Sequence, residues 1–128
     1  MSPDNVEIVR RSIEAYRRGD YAGASAYLAP DVEWSVGQEL PARGPAAVRE
    51  MWKRWDGEWE ELETVVEDVI DNGDKVVMTV RYRGRGRGSG VEVNDRVFEV
   101  HTFRDGQCVR KVDFRERSEA LEAAGLEI

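Results

Sequence analysis

The chain is poor in the residues that build metal and disulfide sites. It has one cysteine, Cys108, and one histidine, His101, in 128 residues. A single cysteine excludes an internal disulfide framework and a cysteine-based zinc site, and a single histidine excludes a multi-histidine metal centre. Positive charge is also in short supply: 19 Lys and Arg stand against 26 Asp and Glu, for a net charge of −7. Nucleic acid is therefore a poor candidate partner, because binding phosphates needs a basic surface. No apolar run approaches the roughly 18 residues of a membrane-spanning helix. The polar start MSPDNVEIVRR has no signal-peptide core. These absences lead to the expectation of a cytoplasmic protein that uses no metal, no cofactor and no membrane surface.

What is present suits a globular fold. Hydrophobic residues make up 41% of the chain and charged residues 35%, and the length fits one domain over residues 1–128. Ser2 as N-cap, Pro3 and Asp4 open a helix whose Val6, Val9, Ile13 and Tyr16 form one apolar stripe. Asp20 caps a second, short helix running to about Leu28. Pro30 stops it, and residues 32–36 form a strand with Val32, Trp34 and Val36 on one face. Residues 37–44 read as a loop. Gly44-Pro45 opens a third helix that buries Val48, Met51, Trp52 and Trp55. Strands over 60–70 and 75–83 flank an Asn72-Gly73 turn, and strands over 91–103 and 108–117 flank Asp105-Gly106. Ser118 caps a last helical turn that ends at Gly125.

Helices followed by a run of strands imply an α+β domain. The expected architecture is a cone-like roll: three helices packed on a strongly curved, mostly antiparallel sheet that encloses a pocket. Counting outward from Asp105-Gly106 pairs Phe103 with Cys108, His101 with Arg110, Glu99 with Val112 and Val97 with Phe114. Their shared face is expected to line the pocket, bringing Glu99, His101 and Arg110 together in apolar surroundings where their pKa values would be perturbed. Asp113 falls on the other face by the same count. Counting from Asn72-Gly73 places Val65 and Val69 with Val76, Val80 and Tyr82. Because both faces of that hairpin are half apolar, a homodimer through the sheet face is expected. Arg81, Arg83, Arg85 and Arg87 match no phosphate-binding glycine motif, and are read as partners for the acids of the neighbouring strand beside a mobile tip. Cys108 reads as a small core residue.

Three stretches carry a resemblance: VEIVRRSIEAYRRGDYAGASAYLAPDVEW, RGPAAVREMW and HTFRDGQCVRKV. Together they resemble the nuclear-transport-factor-2-like superfamily, and within it SnoaL-like domains, relatives of ketosteroid isomerase, limonene-epoxide hydrolase and polyketide cyclases. The resemblance implies a hydrophobic small-molecule ligand. It leaves isomerase, cyclase, hydrolase, dehydratase and non-catalytic binding module open. Carried over residue by residue, the isomerase base position holds Trp34. The first-helix tyrosine position holds Ser12, with Tyr16 one turn later, and the second acid matches Glu99. The positions of the hydrolase Asp-Arg-Asp set look like Val80, Tyr82 and Val112.

Two readings follow. One is an acid–base enzyme acting on a hydrophobic carbonyl or polyketide-like compound. In it, His101 is base or acid, and Glu99, Tyr16 or Tyr82 donates to an oxyanion. Trp34, Trp52, Trp55, Tyr82, Val97, Arg110, Val112 and Phe114 line the ligand site. The other reading is a non-catalytic ligand-binding or dimerisation module of the same fold.

Overall fold

The computed structural model describes residues 4–36 and 40–126. In chain order these form α1 (Asn5–Arg17), α2 (Tyr21–Ala24), β1 (Leu28–Trp34), β2 (Ala42–Arg43), α3 (Pro45–Gly57), β3 (Trp59–Asn72), β4 (Lys75–Gly86), β5 (Glu92–Arg104), β6 (Gln107–Phe114) and α4 (Arg117–Ala123). One six-stranded sheet has the order β2-β1-β6-β5-β4-β3. Its pairings are antiparallel except for β1 with β6. This is the expected α+β class.

Local chemistry explains the helix ends. The Asp4 side chain caps α1 by accepting from the Val6 amide at 2.8 Å. The expected cap Ser2 and its neighbour Pro3 lie outside the described residues. Gly19 follows the helix at φ 76°, where a side chain would be strained. Asp20 caps α2 by accepting from the Gly23 amide at 2.9 Å. This helix is shorter than expected, because Leu28 already belongs to β1. Pro30 therefore sits within a strand. It is tolerated there because the β1–β6 register breaks between Leu28 and Glu33, where a missing amide costs no ladder bond. Ala42 and Arg43, expected in a loop, pair with Trp34 and Glu33 as β2.

The core lies between α1–α3 and the inner face of the sheet. Val9, Val32, Val48, Val76 and Cys108 are fully buried there, with Trp34 and Trp52 nearly so. The fourth helix corrects the expectation of helices on one face only. Ala120 and Ala124 of the α4 region pack with Val77 and Val100 on the outer face, joined by Ile70, Phe98 and Phe114. Val77 and Val100 are thereby buried, while Ile70, Phe98 and Phe114 stay half-buried. Elsewhere on it, Glu67 accepts from Arg81 at 3.1 Å and from Arg96 at 2.7 Å.

Two bulges correct the expected registers. In the first hairpin the turn residues are Gly73 and Asp74, because Asn72 pairs with Lys75. Gly73 takes φ 69° at the first turn position, as glycine readily does. This moves pairing by two residues and leaves the faces unchanged. The extra residue Glu67 then swaps them, so Val66, not Val65, sits opposite Val80 on the inner face. In the second hairpin Asp105 and Gly106 both have positive φ, 53° and 77°, as the expected turn requires. Phe103 pairs with Cys108 as expected. Val109 is then the extra residue, and His101 pairs with Lys111, Val100 with Val112, Glu99 with Asp113 and Phe98 with Phe114. Among the described residues no helix is long and apolar enough to cross a membrane.

Candidate functional site

The concave face of β4–β6 and the underside of α1 and α3 enclose a cavity of about 530 Å³, within the size range of small-molecule sites. Its walls are aromatic. Trp34 meets Trp52 edge-on with ring centres 5.5 Å apart, Trp52 meets Tyr16 at 5.5 Å, and Trp55 meets Tyr82 at 5.8 Å. Val97 completes the expected lining. Arg110 and Val112 do not contribute. The Val109 bulge turns Arg110 to solvent and sends Val112 to the far face opposite Val100. Phe114 borders the cavity but packs with Phe98 in the cluster beneath α4.

The same bulge brings in Lys111 and Asp113, which counting from the turn had placed outside. The result is a polar floor under an apolar room. His101 Nε2 lies 3.1 Å from Glu99 Oε1, and Tyr82 donates to Glu99 Oε2 at 3.0 Å. Lys111 Nζ donates to Asp113 Oδ1 at 2.7 Å and to the Ser35 carbonyl at 3.0 Å. It also stands 4.5 Å from the centre of the Trp34 ring, a cation–π contact. Tyr27, another residue not singled out from the sequence, places its hydroxyl 3.5 Å from His101 Nδ1. Glu99, His101 and Lys111 are all buried, and Asp113 retains a side-chain exposure of 12%.

These neighbours settle the charge states. Burial opposes ionisation of Glu99, yet the Lys111 ammonium and the hydrogen bond from His101 outweigh it and hold the carboxyl down at about 2. Glu99 is therefore an anion rather than the neutral hydrogen-bond donor that the isomerase resemblance implies. Burial likewise opposes charge on His101, but the Cys108 sulfur and the Glu99 carboxylate raise it to about 9. The ring is thus an imidazolium at neutral pH. Asp113 goes the other way: burial pushes it up to about 6 in spite of Lys111, with the nearby Glu99 charge adding to the rise. Near neutrality the floor holds paired acids and bases, and one of its acids titrates close to neutrality.

Tyr16 borders the cavity, but its hydroxyl is committed to Asp56 of α3, which also accepts from Tyr21. Burial and then Asp56 raise the Tyr16 phenol far above its ordinary range. The hydrogen bond to Asp56 takes Tyr21 up to about 12. The free oxyanion donor expected at Tyr16 is thus absent, and the two phenols tie α1 and α2 to α3 instead. Cys108 is fully buried, and its thiol donates to the Arg110 carbonyl at 3.4 Å. Among the described residues no group of three or more His, Cys, Asp and Glu could hold a metal ion.

A sequence profile of the SnoaL-like domain matches residues 9–111, from α1 into the floor strand β6. The chain belongs to the SnoaL-like domain family. Solved structures agree on the fold. An NTF2-like protein from Burkholderia thailandensis shares 25% identity over 98% of this chain and 100% of its own, with a TM-score of 0.82. An NTF2-like protein of unknown function from Burkholderia pseudomallei shares 25% over 95% and 97%, with a TM-score of 0.80. A putative polyketide cyclase from Xanthomonas campestris pv. campestris shares 20% over 94% and 96%, with a TM-score of 0.68. No curated protein matches the chain. This SnoaL-like chain is therefore a pocket protein of that family, with its ionisable groups gathered at the cavity floor.

Proposed function

We propose that the chain is a cofactor-independent acid–base enzyme that moves a proton on a hydrophobic carbonyl compound. The observation that carries this reading is the floor itself: Glu99, His101, Lys111 and Asp113 share one apolar cavity, and Asp113 is the acid that titrates near neutrality. In the reaction, a C–H bond beside the substrate carbonyl breaks and its proton passes to the Asp113 carboxylate. The electron pair moves to the carbonyl oxygen, giving an enolate. Returning the proton to a different carbon isomerises the substrate; carbon–carbon bond formation or loss of a leaving group from the enolate would give a cyclase or a dehydratase.

Charge counting supports this direction. Before transfer, the carboxylates of Glu99 and Asp113 balance the cations of His101 and Lys111. After transfer Asp113 is neutral, and the floor carries one net positive charge beside the new enolate. In a low-dielectric site this attraction develops only as the reaction proceeds, which is the condition for catalysis rather than mere binding. An acid near pH 6 also suits a base that must release its proton again at neutral pH.

Non-catalytic binding is the second reading. It is favoured by one observation: the donors of Tyr16 and Tyr82 already serve protein carboxylates. One experiment separates the two. Apolar carbonyl compounds that raise the melting temperature are incubated with the protein in deuterium oxide, and exchange beside the carbonyl is followed by NMR. The enzyme reading expects exchange that Asp113→Asn slows by about 100-fold or more. Tight binders that show no exchange and no other chemical change would sink it and leave the binding module.

A further inference from the structure

A buried phenol on the far side of His101 has no part in the scheme above. Tyr27 is almost wholly buried at the base of the cavity, its ring tilted 31° to the imidazole with centres 6.4 Å apart. We propose that Tyr27 is a positioning residue: its phenolic oxygen accepts the Nδ1 proton of His101, keeping the ring doubly protonated with Nε2–H aimed at Glu99.

Glu99 fixes the proton on one ring nitrogen. A carboxylate oxygen 3.1 Å from Nε2 requires a proton on that nitrogen, since two acceptors would repel. Nδ1 then either receives the Tyr27 hydroxyl or donates to it. The charge of the surrounding cluster decides between these.

The groups facing His101 are Glu99 on its own strand, Tyr82 behind Glu99 on β4, Tyr27 and Trp34 on the β1 side, and Cys108, Lys111 and Asp113 on β6. With a neutral ring, the ionised acids of this set outnumber its one cation, Lys111. With an imidazolium they balance, which a buried cluster strongly prefers. At 3.5 Å the Nδ1 contact is long, so Tyr27 contributes at the weak end of the range for a charged hydrogen bond.

The inference rests on the charge-balanced floor proposed above, but its test needs no substrate. His101 is the one histidine, so its ring nitrogens are unambiguous in 15N NMR. Both are expected to be protonated at pH 7, and Tyr27→Phe is expected to lower the titration midpoint by about one unit. An unchanged midpoint in a natively folded Tyr27→Phe protein overturns the proposal. So does a bare Nδ1 at pH 7 in the parent, which decides the matter even if Tyr27→Phe fails to fold. Deuterium exchange by the parent is scored separately: its loss would sink the enzyme reading and leave this one standing.

Discussion

Replacing Glu99 with Gln removes one oxygen's charge from the cavity floor while keeping its shape, and the cost can be worked from the structure. His101 titrates at about 9 instead of its ordinary 6.5, and Glu99 at about 2 instead of 4.5. The Glu99–His101 contact is one part of each shift: Cys108 comes before Glu99 among the groups that raise His101, and Lys111 before His101 among those that hold Glu99 down. A difference of about 2.5 units corresponds to about 3 kcal/mol, which is the ceiling for that contact. The sign follows from linkage. A histidine whose folded pKa is raised contributes stability that is fully present below pH 6.5, fades as pH rises, and is gone above about 9. Glu99→Gln should therefore carry a pH-dependent cost of at most about 3 kcal/mol at pH 6 that fades by pH 9.5, on top of a fixed loss of the Lys111 attraction. Urea unfolding of parent and variant at several pH values reads this directly. A stability gap that stays constant from pH 6 to 9.5 would refute the reasoning, because the imidazolium would then not be its source.

Other perturbations have equally definite outcomes. Asp113 is an acid with a raised folded pKa, so its ionisation opposes folding: the penalty is absent below pH 3.8 and complete above about 6. Asp113→Asn removes this penalty, and its stability relative to the parent should climb by up to about 3 kcal/mol between pH 4 and 7 in urea melts, on top of a fixed loss from the Lys111 contact. Trp52 is 8% exposed and touches both Trp34 and Tyr16 edge-on; Trp52→Ala should cost about 3–5 kcal/mol in chemical denaturation. Gly106 has φ 77°, so Gly106→Ala should cost about 1–2 kcal/mol. Gly57→Ala, with open space around its new methyl group at the end of α3, should gain about 0.5–1 kcal/mol instead.

The fold was legible because its signals are local and mutually consistent. Asp20 caps a helix, Gly44-Pro45 starts one, and Asp105-Gly106 turns a hairpin through residues that tolerate positive φ. Alternation along β5 also placed Val97, Glu99, His101 and Phe103 on one face. The site was only half legible, because parity fails at a bulge. Nothing in Cys108-Val109-Arg110 announces that Val109 is skipped in the pairing, and that one skipped residue exchanges Arg110 and Val112 for Lys111 and Asp113. Glu67 does the same to Val65 and Val66. The helix α4 was visible as a helical turn, but which face of the sheet it covers depends on Val77 and Val100, far away in the chain. The role of Tyr16 was misread for a similar reason: Asp56, which takes its hydroxyl, lies 40 residues further on.

The two acids of the cavity floor are driven apart in pKa by their surroundings. Carboxyl 13C NMR of the ligand-free protein, labelled at Asp and Glu and assigned with Glu99→Gln and Asp113→Asn, tests this most directly. The predicted result is one floor carboxyl with an apparent midpoint near 6 and another still ionised down to about 2. Both carboxyls titrating together near 4, as exposed acids do, would contradict it.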